Sequence, residues 1–136
     1  MKKTIVLFVA LALAATAFGA GSSDASGGAK KYRIFMNPKF TGLSYFEVCA
    51  NGAKEAAKEL GVDFVYTGSE QADVQLQVQS LENIVAQKPD AIIVSAIDLN
   101  AVAPPLKKAM EKGIKVVSYD ADTAVDARDF FCNQMS

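Results

Sequence analysis

Two short stretches hold most of the residues that could do chemistry. In "VVSYDADT" (116–123) an apolar run ends in Tyr119, Asp120 and Asp122. In "NPKFTGLSYF" (37–46) the only cation, Lys39, is followed by the aromatic pair Tyr45 and Phe46. A carboxylate accepts several hydrogen bonds, so it can hold neighbouring hydroxyls of a polyol. An amine donates to ring or hydroxyl oxygens, and aromatic faces pack on the C–H surface of the same molecule. Charge-assisted hydrogen bonds are about twice as strong as neutral ones. A polar group left unmet in a water-poor cleft is costly, which selects one hydroxyl pattern over another. Lys39, Asp120, Phe46, Tyr45 and Tyr119 are therefore the candidate ligand-binding residues.

Each has a plainer role open to it. Lys39 fits a solvated loop, and Phe46 fits the buried stripe of a helix. Tyr45 and Tyr119 could roof the edge of a sheet. Asp120, and more readily Asp122, could cap a turn by accepting local backbone N–H groups. Asp98 reads as a helix-entry residue.

Catalysis is less well served. The chain has no histidine, hence no usual general base near neutral pH and none of the commonest metal ligand. Asp120 and Asp122 could form an acid–base pair, but no G-x-S-x-G elbow or glycine-rich phosphate loop accompanies them. A phosphate-accepting signalling domain of this size would want acidic residues just after its first strand, and "NPKFTG" has none. Neither an enzyme nor a metal or cofactor is expected, with a small exported α/β enzyme as a remote alternative. A formal net charge of −1 gives no electrostatic case for nucleic acid as a partner.

The elements that must position these residues alternate. "YRIFMN" (32–37) reads as a strand stopped by Pro38. Phe46, Cys49, Ala50, Ala53, Ala56, Ala57 and Leu60 recur at three- and four-residue steps, one face of a helix, which Gly61 ends. "DFVYTG" (63–68) is a second strand. Asp73 is a suitable N-cap for a helix with its stripe at Val74, Val78, Leu81, Ile84 and Val85, stopped by "QKPD". "AIIVSAI" (91–97) is apolar on both faces, as a central parallel strand should be. A third helix spans about 101–112, with Pro104 and Pro105 in its first turn and Gly113 as terminator. "IKVVSY" (114–119) and "DFFC" (129–132) close the series. Strands alternating with helices predict an α/β fold, a doubly wound parallel sheet flanked by helices. In such sheets ligands bind at the carboxyl ends of the strands, which is where both stretches fall.

The chain starts differently. Lys2 and Lys3 precede "TIVLFVALALAATAF", fifteen apolar or small residues, short of the roughly 20 a membrane span needs. The pattern predicts a cleavable signal peptide over 1–19, with cleavage after Ala17 or Gly19, a flexible leader over 20–31, and a periplasmic mature protein without a lipid anchor. The folded part then covers 32–136. An oxidising compartment permits a Cys49–Cys132 bridge, but nothing in their spacing brings them together, and two buried thiols are expected.

Five segments, "NPKFTGLSYF", "NGAKEAAKELGVDFVYTG", "QVQSLENIVAQKPDAIIVSAID", "LKKAMEKGIKVVSYDADT" and "FFCNQ", resemble type I periplasmic solute-binding proteins of sugar ABC transporters. The nearest group is that for autoinducer-2, rhamnose or ribose. The resemblance implies two α/β lobes with the ligand between them, and delivery to a membrane permease. It implies ligand contacts from Lys39 and Asp120 and pocket-wall positions for Tyr45, Phe46 and Tyr119. Members are roughly twice this length, so the chain is expected to be an incomplete N-terminal lobe. Such a lobe should expose an apolar edge and self-associate. The alternative for this polypeptide is a truncated remnant without high-affinity binding.

Overall fold

The computed structural model describes residues 30–133. The expected signal peptide and all of the leader except Lys30 and Lys31 lie outside the described residues. Five strands and three helices follow in the predicted order: β1 (Arg33–Asn37), α1 (Ser44–Leu60), β2 (Asp63–Tyr66), α2 (Val74–Ala86), β3 (Ala91–Val94), α3 (Ala103–Glu111), β4 (Lys115–Tyr119) and β5 (Phe130–Cys132). A single 3-10 turn, Val125–Ala127, precedes β5. The strands form one parallel sheet in the order β2-β1-β3-β4-β5.

Local chemistry explains the boundaries. Gly61 closes α1 in the left-handed conformation (φ 68°), its N–H reaching the carbonyls of Ala57 and Lys58, a backbone shape that costs glycine little. Asp73 caps α2 by accepting from the Leu76 N–H at 2.9 Å. The two prolines of α3 sit in its first turn, where no intrahelical N–H is lost. β3 is shorter than the apolar run suggested, ending at Val94 rather than 97. Beyond Ser95 its backbone turns to other partners: the Ala96 N–H donates to the Ala121 carbonyl and the Ile97 N–H to the Gln77 side chain.

The two faces of the sheet are covered unequally. Phe35, Ile92, Val94 and Val116 are sealed beneath α2 and α3, against Leu81, Ile84 and Leu106. On the opposite face α1 lays Phe46 and Ala50 over Met36, with Phe64 and Tyr66 beside them. The strand registers align Tyr66, Met36, Ile93, Val117 and Phe130 across this face. Along that row cover runs out: Met36 is buried, Ile93 and Val117 are half-buried, and Phe130 is 63% exposed. A groove of about 190 Å³ lies along the flank of α1, lined by Ile34, Ala53, Ala56, Ala57, Leu60, Val62, Phe64 and Ile93.

That imbalance corrects the expectation for the cysteines. Cys132 is exposed and Cys49 half-buried, and both are free thiols. Cys132 lies on edge strand β5 beside Tyr119, on the thinly covered face, so the apolar segment around it is not interior. No helix among the described residues is long and apolar enough to cross a membrane.

Candidate functional site

The strand order reverses between β1 and β3, so the carboxyl ends of β1, β3 and β4 stand side by side at the switch point, the region where open α/β sheets place ligands. Each delivers one polar side chain. Lys39 follows β1, Ser95 follows β3 and Asp120 follows β4. Lys39 Nζ lies 3.1 Å from Asp120 Oδ2, with both side chains about 30% exposed (32% and 27%). Ser95 Oγ donates to the same carboxylate oxygen at 2.8 Å. An amine, a hydroxyl and a carboxylate from three βα units thus converge on one point, part-buried and still open to solvent on one side.

Asp120 is held there by unusual backbone geometry. Its φ is +58°, and among described non-glycine residues only Lys88 also has a positive φ. The left-handed conformation costs an L-residue roughly 1–2 kcal/mol and is tolerated best by Asn and Asp. It folds the chain back so that Tyr119 and Ala121 form an isolated antiparallel bridge. Strain of this kind collects at binding and catalytic positions.

Asp122, two residues on, is engaged otherwise. Its carboxylate accepts from Arg128 Nε at 2.7 Å and Nη2 at 2.9 Å, from Ser118 Oγ at 2.6 Å and from the Thr123 N–H at 2.8 Å. Burial alone would raise its pKa, but Arg128, Ser118 and the Thr123 N–H together hold the carboxyl below the ordinary range. Asp122 is a structural anchor, as its place deeper in the loop suggested. Arg128 carried no sequence signal beyond its charge. Asp98 accepts from the Asn100 and Ala101 N–H groups at 3.0 and 2.8 Å, a turn just ahead of α3.

The aromatic wall stands on the α1 side. Phe46 meets Phe40, Tyr45 and Tyr119 edge-to-face, with ring centroids at 5.7, 5.1 and 6.3 Å, a favoured arrangement for ring quadrupoles. Phe46 and Tyr119 are buried, at 2% and 8% exposure, so they form the inside of the wall. Tyr45 and Phe40 are half-buried and retain accessible surface. Phe40 was missed in the sequence, although its place beside Lys39 was the available signal. The hydroxyls of Tyr45 and Tyr119 are sealed without a hydrogen-bond partner. Burial pushes the Tyr45 phenol up to about 12 and raises Tyr119 further. Tyr66, half-buried and donating to Glu47 at 3.1 Å, also rises to about 12.

Beneath the rim lies a network of buried amides. Asn37 and Gln77 are 0% and 1% exposed. Asn37 Nδ2 donates to the Thr67 carbonyl at 2.9 Å and to Ser80 Oγ at 3.0 Å. Gln77 Nε2 reaches the Ser95 carbonyl at 2.8 Å, the Pro38 carbonyl at 3.0 Å and Asn37 Oδ1 at 3.4 Å, while its Oε1 accepts from the Ile97 N–H at 2.9 Å. Gly68 is fitted against this corner. A Cβ there would meet Pro38 Cδ at 3.3 Å and Asn37 Nδ2 at 3.4 Å. Gln77 was absent from the sequence candidates, yet it lies three residues after Val74 on the apolar stripe of α2, and a polar residue at such a position is a legible warning of a buried contact.

Among the described residues no group of three or more His, Cys, Asp or Glu side chains is placed to hold a metal ion. The arrangement suits recognition by hydrogen bonding to oxygen-rich groups: one cation, one carboxylate, one hydroxyl and a ring wall.

Comparison with known proteins agrees with that chemistry. The family model described as a periplasmic binding protein domain matches residues 34–135. The xylose/arabinose-binding protein XylF of Sulfolobus acidocaldarius is 32% identical over 93 residues, covering 68% of this chain and 22% of that protein. The crystal structure of a sugar ABC transporter protein from Actinomyces odontolyticus superposes with a TM-score of 0.75 at 33% identity, over 77% of this chain and 34% of that one. LsrB from Clostridium saccharobutylicum in complex with AI-2 gives 0.74 at 29% identity, over 76% and 32%. The chain spans about a third or less of the length of these relatives. It nonetheless belongs to the periplasmic binding protein domain family.

Proposed function

We propose that the chain supplies one wall of a site for a small sugar or sugar-like ligand, of the autoinducer-2, rhamnose or ribose type, as the N-terminal lobe of a periplasmic receptor that serves an ABC transporter permease. The observation that carries this is the meeting of Lys39 and Asp120 at 3.1 Å on the same rim as the half-buried rings of Phe40 and Tyr45. A ligand hydroxyl entering between them accepts from the Lys39 amine and donates to the Asp120 carboxylate. Ser95 keeps that carboxylate aimed. Ring faces then cover the C–H surface of the sugar. Relatives named for xylose, arabinose, ribose, allose and fructose support the ligand class and differ among themselves in the sugar, so the hydroxyl pattern stays a matter for experiment. Export through the signal peptide at 1–19 completes the reading.

Titration calorimetry of the chain with ribose, rhamnose, xylose, arabinose and autoinducer-2 tests it. The expected result is saturable binding of at least one, on the order of millimolar for a single wall (about −4 kcal/mol), and its loss in Asp120→Asn, a substitution that tolerates the left-handed backbone. No saturable heat with any of them would support the remnant reading instead.

A second reading concerns self-association. The half-covered row Ile93, Val117 and Phe130 ends at edge strand β5, whose outer side pairs with no other described strand. Apolar surface running into an open edge favours a second copy of the chain. Sedimentation velocity is expected to show a concentration-dependent dimer that Phe130→Lys disperses. A monomer at every concentration would contradict it.

A further inference from the structure

We propose that Gln77 is a positioning residue for the rim: its buried amide sets the distance between Lys39 and Asp120. The inference rests on the reading of that pair as the ligand grip. Gln77 projects from α2, yet its four side-chain hydrogen bonds end on the tip of β1, which carries Lys39, and on the tip of β3, whose Ser95 holds Asp120. Nε2 donates to the carbonyl of Pro38, the residue before Lys39, at 3.0 Å. It also donates to the carbonyl of Ser95, whose hydroxyl holds Asp120, at 2.8 Å. Oε1 fixes the Ile97 N–H at 2.9 Å, and Asn37 Oδ1 is the most distant partner at 3.4 Å. One side chain therefore reinforces, from beneath, the backbone bond from the Ser95 N–H to the Asn37 carbonyl (3.1 Å) that joins the ends of β1 and β3 at the switch point.

Two features set this apart from routine satisfaction of loose backbone groups. The switch point is the usual ligand seat, and here Gln77, 1% exposed, bonds to the strand ends on both sides of it. A ligand then meets Lys39 and Asp120, which are part-exposed, rather than the sealed amide. In addition, the charged partners reach one another over β3, with no hydrogen bond or ion pair of their own to α2 among the described residues. Without the amide, the Pro38 and Ser95 carbonyls lose their shared donor and the ladder bond from the Ser95 N–H to the Asn37 carbonyl is left to join the two tips, and a buried polar strut is rigid because leaving any of its bonds unmade is costly. Gln77 thereby acts on the ligand through Lys39 and Ser95 rather than by contact.

The experiment compares Gln77→Met, which keeps length and helix propensity without polar atoms, with Ile84→Val, a packing change on the same buried helix face. A crystal structure of each gives a readout that needs no sugar. Lys39 and Asp120 are expected to separate beyond salt-bridge reach, about 4 Å, in Gln77→Met and to stay paired in Ile84→Val. Sugar affinity, measured where each variant is folded, is expected to fall at least tenfold in Gln77→Met, with little further loss when Asp120→Asn is added. A retained ion pair in Gln77→Met, with affinity no lower than in Ile84→Val, would overturn the proposal. If Gln77→Met does not fold, Gln77→Asn, which withdraws the amide by one methylene, carries the same comparison. Failure of the parent chain to bind any sugar would count against the ligand reading, while the crystallographic arm would still decide the role of Gln77.

Discussion

The two ends of the sheet are both charged, and they are charged in different ways. At the amino end, every strand begins with or just after an ionised residue, and these pair among themselves: Lys30 with Asp90, Arg33 with Asp63 at 3.3 Å, Lys115 with Asp129 at 2.9 Å. One or both partners of each pair are widely exposed, and their ring contacts among the described residues are single ones, Lys30 over Tyr32 and Arg33 over Phe35. At the carboxyl end, Lys39 and Asp120 sit over buried amides, beside a wall of four rings, on a left-handed residue. The amino end illustrates charges that keep an edge soluble and in register. The carboxyl end illustrates charges held in place at a cost in backbone strain, which is reasonable only if something is gained when a ligand arrives.

Substitutions at the two ends should therefore act on different properties. The largest effect is expected from Asp120→Asn. Sugar affinity should fall a hundredfold or more, about 2.7 kcal/mol, while the urea midpoint moves little because the lost pair is half in water. A large stability loss with intact affinity would reverse the roles assigned to the two ends. Next comes Arg128→Ala, which leaves the Asp122 carboxylate without its bidentate partner and should cost roughly 1–3 kcal/mol in urea unfolding. The same anchor sets an acid limit. The folded Asp122 carboxyl titrates below its unfolded value, so its stabilisation is present above about pH 4 and is lost as pH falls through the lower folded value. Unfolding curves below pH 4 should show that loss in the parent chain and much less of it in Asp122→Asn. Lys115→Ala, at the amino end, should change stability by at most about 1 kcal/mol and leave sugar binding untouched. Smallest of all, Lys30→Ala, which removes an exposed partner, should give no measurable change in thermal midpoint or affinity. An effect on affinity from either lysine would blur the distinction between the ends.

Much of the scaffold was legible because it rests on local periodicity. The strand runs other than the end of β3, the Gly61 and Gly113 stops and the Asp73 cap appear where their chemistry placed them, as do the apolar stripes except at Ala56 and Leu60 of α1, which are exposed. The meeting of Lys39 and Asp120 was also within reach, since both follow strands of a parallel sheet and so must share one rim. The rest depends on which elements lie across from each other. Gln77 and Asn37 become partners only once α2 packs beneath the ends of β1 and β3, a relation 40 residues apart in sequence. Arg128 reads as a surface charge until the loop after β4 brings it to Asp122. The cysteines were misjudged because an apolar neighbourhood implies burial only where a layer covers it, and at β5 the layer is missing.

Whether Lys39 and Asp120 grip the ligand is decided by an NMR titration of the isotope-labelled chain with the sugar that calorimetry selects. Saturable shifts, sharing one dissociation constant, are expected in the Asp120 carboxyl carbon, the Lys39 side chain and the Ser95 amide, with ring protons of Phe40 and Tyr45 following. Shifts gathered instead along the α1 groove near Ala56 and Leu60, or at the amino end around Asp90, with Lys39 and Asp120 silent, would contradict it.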